Sequence, residues 1–292
     1  MMHSVEEYLA QYSACVEIAL ENFFPAGNTT LSDAVRYSLL GGGKRIRPAL
    51  FLEFFRLCGG TNEDALPFAC GLEMIHTYSL IHDDLPCMDD DDLRRGKPAN
   101  HIVYGEATAL LAGDTLLNRA FEIMTADRRI PAAQVLDCVA YIGRMSGIYG
   151  MIGGQALDLS MEKTLGTPEL LTEMISKKTG ALLRAACVGA CLLAGASKEK
   201  INAAETYAKC VGLAFQIRDD MLDVIGEQKT LGKRIGADTQ HQKCTFAYFY
   251  GLEKCQEMVD SLTEEAVQAV TLAFPESSFL QDLAYWLAKR NH

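Results

Sequence analysis

Leu80-Ile-His-Asp-Asp-Leu-Pro-Cys-Met-Asp-Asp-Asp-Asp-Leu-Arg-Arg-Gly-Lys97 is the stretch from which the rest of the sequence is read. Six of the ten residues from Asp83 to Asp92 are aspartate, and Arg94, Arg95 and Lys97 follow at once. Left bare, these carboxylates repel one another, so each needs water, a cation or a basic partner. Carboxylates beside a basic edge suit a metal-bound polyphosphate, with Asp holding Mg²⁺ and Arg holding phosphate oxygens. Most charge runs are only solvated. Pro86 and the apolar run from Met74 to Ile81 weigh against that here, because they put Asp83 and Asp84 at the end of a buried helix.

Outward from this stretch the periodicity is helical. The spacing predicts helices near 3–24, 30–41, 48–59, 62–83, 105–126, 131–150, 168–195, 198–225, 240–272 and 277–290. Gly41-Gly42-Gly43 closes one helix and Pro48 sits in the first turn of the next. Thr167-Pro168 and Ser197 open two others. No alternating β pattern is found, and Ile102-Val103-Tyr104 is too short to count as a strand. The helices over 62–83, 105–126, 168–195 and 198–225 are apolar on more than one face, as central bundle helices are. With no repeat or long linker, residues 1–292 are expected to form a single all-α domain, a helical bundle around a deep hydrophobic cavity.

A second acidic constellation is Phe215-Gln-Ile-Arg-Asp-Asp-Met-Leu-Asp223. On a helix, Gln216, Asp219, Asp220 and Asp223 fall at spacings of three and four, largely on one face. Adjacent carboxylates inside an apolar segment are costly unless something positive fills the space. Two such clusters on separate helices could clamp one magnesium-bound diphosphate. An EF-hand is excluded, since Leu85 occupies the third loop position counting Asp83 as the first, and the required glycine is missing. Basic residues gather at Lys44-Arg-Ile-Arg47, at Lys177-Lys-Thr-Gly180 and at Thr230-Leu-Gly-Lys-Arg-Ile-Gly-Ala-Asp238. The first joins a helix end to a helix start, where free amides favour anions; the last has the composition of a lid over a phosphate.

The chain of 292 residues carries a net charge of −11, which argues against a nucleic-acid partner. No apolar run reaches membrane-spanning length, since Ala181 to Ala196 is short and contains Arg184. The first 24 residues lack the pattern of a signal or transit peptide, so a soluble cytoplasmic protein is expected. The ten cysteines form no CxxC pair and read as small buried residues in a reducing compartment.

The order GGGKRIRP, HTYSLIHDDLPCMDDDDLRRGKPANH, GGQALDL, KKTGALLRAA, FQIRDDMLD and TLGKRIGAD…KCTFAYFYGLEKC closely resembles the short-chain trans-prenyltransferases. Within them it is most similar to the bacterial farnesyl diphosphate synthases, from about Leu31 onward. The resemblance implies a homodimer that joins an allylic diphosphate, dimethylallyl or geranyl, to isopentenyl diphosphate. It implies three Mg²⁺ ions, with Mn²⁺ as a possible substitute: Asp83 and Asp89 as ligands at the first motif with Asp84 in support, and Asp219 at the second with Asp220 and Asp223 around it. Arg94, Lys178, Gln216 and Lys233 would contact the allylic substrate, and Thr179 would face its reacting carbon. Lys44, Arg47, His76 and Arg95 would hold isopentenyl diphosphate. On residue type alone, His76 reads as a hydrogen-bonded core histidine, and only the resemblance turns it towards phosphate. Cys244 departs from the small polar residue that relatives carry.

Tyr78 and Ser79, five and four residues before Asp83, resemble the farnesyl-producing pattern, in which a bulky residue sets the floor of the cavity. The expected product is (2E,6E)-farnesyl diphosphate, with a geranylgeranyl or geranyl synthase as the alternative. A terpene cyclase, a non-catalytic prenyltransferase subunit and an acidic metal buffer fit less well, since both aspartate motifs and the basic Lys44 and Arg47 are present.

Overall fold

Side-chain caps begin the helices close to where the sequence places them. The computed structural model describes residues 4–126, 129–161, 166–231 and 245–290, with the backbone alone for 226–231. Contacts divide the chain into two compact units, Met1–Gly143 with Gly189–Ala196, and Arg144–Val188 with Ser197–His292.

In the first unit, α1 (Val5–Phe23) opens on a capping box: Glu7 N–H donates to Ser4 Oγ and Ser4 N–H donates to Glu7 Oε2. α2 (Thr30–Leu39) starts with Ser32 N–H donating to Thr29 Oγ1. α3 (Ile46–Leu57) and α4 (Asn62–Asp83) are the most deeply buried helices of this unit, and their Phe51 and Phe68 rings stack at 6.2 Å. Full burial of such a ring contributes roughly 1.5–3 kcal/mol. Beyond α4 the chain forms a hairpin of β1 (Leu93–Arg94) and β2 (Lys97–Pro98), whose two-residue turn holds Arg95 at φ 55° and Gly96 at φ 74°. Two positive φ values define a tight turn matched to strand twist. Strands of two residues leave no alternation in a sequence, which is why no β structure was expected there. Ile102 to Tyr104 belong to α5 (Asn100–Tyr104), followed by α6 (Glu106–Ala126) and α7 (Ala132–Ser146). Gly71 of α4 lets α6 close in, since a Cβ there would meet the Met124 side chain and the Ala120 carbonyl.

The second unit corrects two helix readings. The expected helix over 131–150 ends at Ser146, where Gly150 N–H donates to Gly147 O in a tight turn. A new helix, α8 (Met151–Met161), follows; its glycine-rich start, with Gly150, Gly153 and Gly154, hid it from propensity. The expected helix over 168–195 is two, α9 (Pro168–Lys178) and α10 (Gly180–Leu193), which break at Thr179. α11 (Lys198–Leu231) packs on α9, on α12 (Phe246–Ala273, kinked at Gly251) and on α13 (Ser278–Lys289). Ile217, Phe246, Cys255 and Val259 form its core, and Tyr207 Oη donates to Leu280 O at 2.8 Å. No disulfide joins the nine described cysteines; six are buried as expected, Cys15 and Cys58 are half-buried, and Cys87 is exposed. Among the described residues no helix is long and apolar enough to cross a membrane.

Candidate active site

In the first unit, consecutive residues at the end of α4 point about 100° apart, so Asp84 turns inward, 2% exposed, while Asp83 stays half-buried. Arg94, carried on β1, donates through Nε (2.9 Å) and Nη2 to the same Asp84 oxygen and lies 3.5 Å from Asp91. Burial pushes the Asp84 carboxyl up, against the opposite pull of the guanidinium. The acidic loop folds back on the helix end: Asp89 N–H donates to Asp83 O (2.9 Å) and Asp90 N–H to Leu85 O (3.2 Å). Asp89 itself is exposed. Asp91 therefore faces Arg94, and the Asp92 carbonyl accepts from Ala99 N–H.

Beside this loop lies a cluster of cations. Arg47, in the first turn of α3, has Nη1 3.3 Å from His76 Nε2. Burial, then the charges of Arg47, Arg95, Arg45 and Arg94, hold the His76 imidazole well below its usual pKa, so it is neutral at pH 7. Burial lowers the half-buried Arg47, and Arg95 is lowered too although its side chain stays exposed. Arg95 reaches back to the Gly42 carbonyl and lies under Gly43, where φ is 133° and a Cβ would strike the guanidinium. Lys44 is exposed on the same connection. Arg45 went unassigned in the sequence; it turns inward at φ 48° and is 2% exposed, pairing with Glu73 at 2.6 Å and with the Leu39 carbonyl. The described non-glycine residues with positive φ, Arg45, Asp90 and Arg95, all lie in this region. Such strain gathers at functional sites.

Tyr78, on the same helix, is 5% exposed, and its hydroxyl has no hydrogen-bond partner; burial pushes its pKa up to about 12. Its ring meets His82 edge-on at 5.6 Å, and His82 lies over Gly113 of α6, where a Cβ would collide with the imidazole. Ser79 Oγ donates to its own helix at His76 O.

In the second unit, Lys178 ends α9 and its Nζ lies 2.5 Å from Asp158 Oδ2 of α8. Thr179 Oγ1 is 3.5 Å from Gln216 Oε1; Gln216 Nε2 lies 3.4 Å from Asp220 Oδ1, and Asp220 Oδ2 accepts the Phe246 N–H that opens α12 (2.8 Å). Asp220 is thus buried and engaged by protein, with its carboxyl raised by burial. Asp219 is half-buried and pairs with Arg290, which also donates to Phe215 O and stacks 3.7 Å over the Phe215 ring. Asp223 is exposed one turn further on. Lys233 and Cys244 lie outside the described residues. Asp158 and Arg290 had no assigned role from sequence; the one available signal was Asp158 inside GGQALDL.

Among the described residues, no three His, Cys, Asp or Glu side chains converge as a ready-made metal cage. The donors nonetheless fit Mg²⁺, which takes one or two carboxylates and fills its octahedron with phosphate oxygens and water. Asp219 already holds a cation, the Arg290 guanidinium, and Asp83 and Asp89 belong to one hydrogen-bonded loop.

The profile of the polyprenyl synthetase family matches residues 28–272. The chain is 47% identical to a geranylgeranyl diphosphate synthase of Cyanophora paradoxa, over 98% of this chain and 96% of the relative. It is 42% identical to the farnesyl diphosphate synthase of Geobacillus stearothermophilus, over 99% of both. The crystal structure of a geranyltransferase from Legionella pneumophila superposes with a TM-score of 0.88 at 33% identity, over 98% of this chain and 97% of that one. The fold is therefore the all-α fold of that structure, and the chain belongs to the polyprenyl synthetase family.

Proposed function

We propose that this chain is a prenyltransferase that condenses dimethylallyl or geranyl diphosphate with isopentenyl diphosphate to give (2E,6E)-farnesyl diphosphate. The observation that carries the reading is the Arg47–His76–Arg95 cluster, two cations about a neutral imidazole on the same unit as the carboxylates Asp83 and Asp84. Such a cluster is made for an anion.

In this reading Asp83 and Asp89, and in the other unit Asp219, would hold Mg²⁺, whose chemistry there would be to neutralise charge on the departing diphosphate. Arg94, Lys178 and Lys233 hold the allylic diphosphate, whose cationic carbon is faced by the lone pairs of Thr179 Oγ1 and Gln216 Oε1. Lys44, Arg47 and Arg95 hold isopentenyl diphosphate, and neutral His76 contacts it by hydrogen bonding without adding charge. The released diphosphate takes the final proton. The whole chain works as one polyprenyl synthase domain, as a cytoplasmic homodimer.

The finer claim is product length. Tyr78, buried with an unpartnered hydroxyl one turn and more before Asp83, is the proposed floor. A geranylgeranyl product is the second reading, favoured by the name of the 47% identical relative. Incubation with labelled isopentenyl diphosphate, dimethylallyl diphosphate and Mg²⁺ should give a C15 product in wild type and longer products in Tyr78→Ala. A C20 product from wild type overturns the specificity, and no incorporation overturns the enzyme.

A further inference from the structure

We infer that Asp158, in GGQALDL, is a positioning residue that holds the Lys178 ammonium ready for the allylic diphosphate. The inference rests on the role of Lys178 proposed above. Three observations converge on it. Asp158 Oδ2 lies 2.5 Å from Lys178 Nζ, a close charge-assisted contact. The pair is neither sealed nor on open surface, with side chains 32% and 26% exposed, so a substrate can reach the ammonium while the carboxylate still touches it. Gly154, one turn before Asp158, is what allows the approach: a Cβ on it would collide with the backbone of Lys177 and Lys178. The helix α8 is thus pressed onto the C-terminal end of α9 at the residue that its own carboxylate grips.

The physical need is clear. A lysine side chain has a flexible four-carbon stem with much rotamer entropy, which a substrate would have to overcome if the ammonium swung freely. Asp158 removes that freedom before substrate arrives. An opposing effect exists, since a carboxylate near the site repels a diphosphate. The ammonium lies between the two anions and offsets that repulsion, so the positioning effect wins.

The test is a double-mutant cycle read by calorimetric binding of a non-hydrolysable allylic thiolodiphosphate with Mg²⁺, and by separate KM values for the two substrates. Asp158→Asn keeps the shape and removes the charge. It should weaken analogue binding about ten-fold and raise the allylic KM similarly, leaving the KM for isopentenyl diphosphate within about two-fold. Asp158→Glu should restore part of the loss. Asp158→Asn in a Lys178→Ala background should add nothing. Circular dichroism and melting of each variant separate a binding change from misfolding. If Lys178→Ala weakens binding and Asp158→Asn does not, or if Asp158→Asn tightens it, the positioning role is overturned while the reading of Lys178 stands. If Lys178→Ala leaves analogue binding unchanged, the allylic role of Lys178 falls, and the inference with it.

Discussion

Each aspartate motif contains an adjacent pair, Asp83–Asp84 and Asp219–Asp220, and the two pairs are built alike but anchored differently. In both, the second aspartate is buried and bound to protein, and the first is half-buried. Asp84 is held by a cation ten residues away, Arg94 on the hairpin, whereas Asp220 is held by neutral donors, the Phe246 amide and Gln216. The counter-cation of the second motif instead sits on the outward aspartate, with Arg290 on Asp219 across 71 residues of chain. The helical turn explains the likeness: of two consecutive side chains about 100° apart, only one can face the core. The inward one becomes structure, and the outward one stays available to a ligand.

That division gives the largest expected effect. Asp83→Asn and Asp219→Asn should each lower kcat by about 10²- to 10³-fold, the scale of losing one electrostatic partner of a charge that develops in the transition state. Melting temperature should hardly move. Steady-state kinetics with Mg²⁺ and a thermal melt check both halves. Full activity in either variant would break the assignment of the outward aspartates as ligands.

The inward pair should separate by charge. Both carboxyls are raised in the folded chain, mainly by burial. A raised carboxyl binds its proton more tightly folded than unfolded, so it stabilises below its unfolded value of about 4 and loses that contribution as pH rises through its folded value. Asp220→Asn keeps an oxygen for the Phe246 N–H and removes the charge, so it should gain stability over wild type as pH climbs from about 4 to 7. Asp84→Asn instead strips Arg94 of its anion and should cost about 1–3 kcal/mol near pH 7. Urea unfolding in EDTA across that pH range distinguishes them. Equal responses would mean that the two anchors do not differ.

How far this was legible in sequence depends on the range of each interaction. The helix bounds at 62–83 and the onset of 198–231 follow from local periodicity and caps, and the residues of both motifs stand out by composition. The Arg95 turn left no trace because two-residue strands have no alternation, and an arginine at positive φ contradicts propensity. The Arg45–Glu73, Lys178–Asp158 and Asp219–Arg290 pairs were out of reach, since each joins charges 20 to 71 residues apart that no periodicity connects. For the same reason, Asp84 and Asp220 could be marked as supporting residues without showing what they support.

Arg290 gives the smallest and most discriminating effect. The ion pair leaves Asp219 35% exposed, so water can replace the guanidinium, and a pair of that kind contributes at most about 1 kcal/mol. Stacking over Phe215 adds about 0.5–1 kcal/mol that does not depend on the carboxylate. Arg290→Ala should therefore cost roughly 1–2 kcal/mol in urea unfolding at low ionic strength. At about 1 M salt the Debye length falls to about 3 Å, the ionic share weakens, and the gap between variant and wild type should shrink towards the share held by stacking and by the bond to Phe215 O. A gap well above 2 kcal/mol that ignores salt would show Asp219 and Arg290 to be a structural anchor like Asp220 and Phe246. The outward aspartate of the second motif would then differ in kind from Asp83, and the likeness between the two pairs would hold only for their inward members.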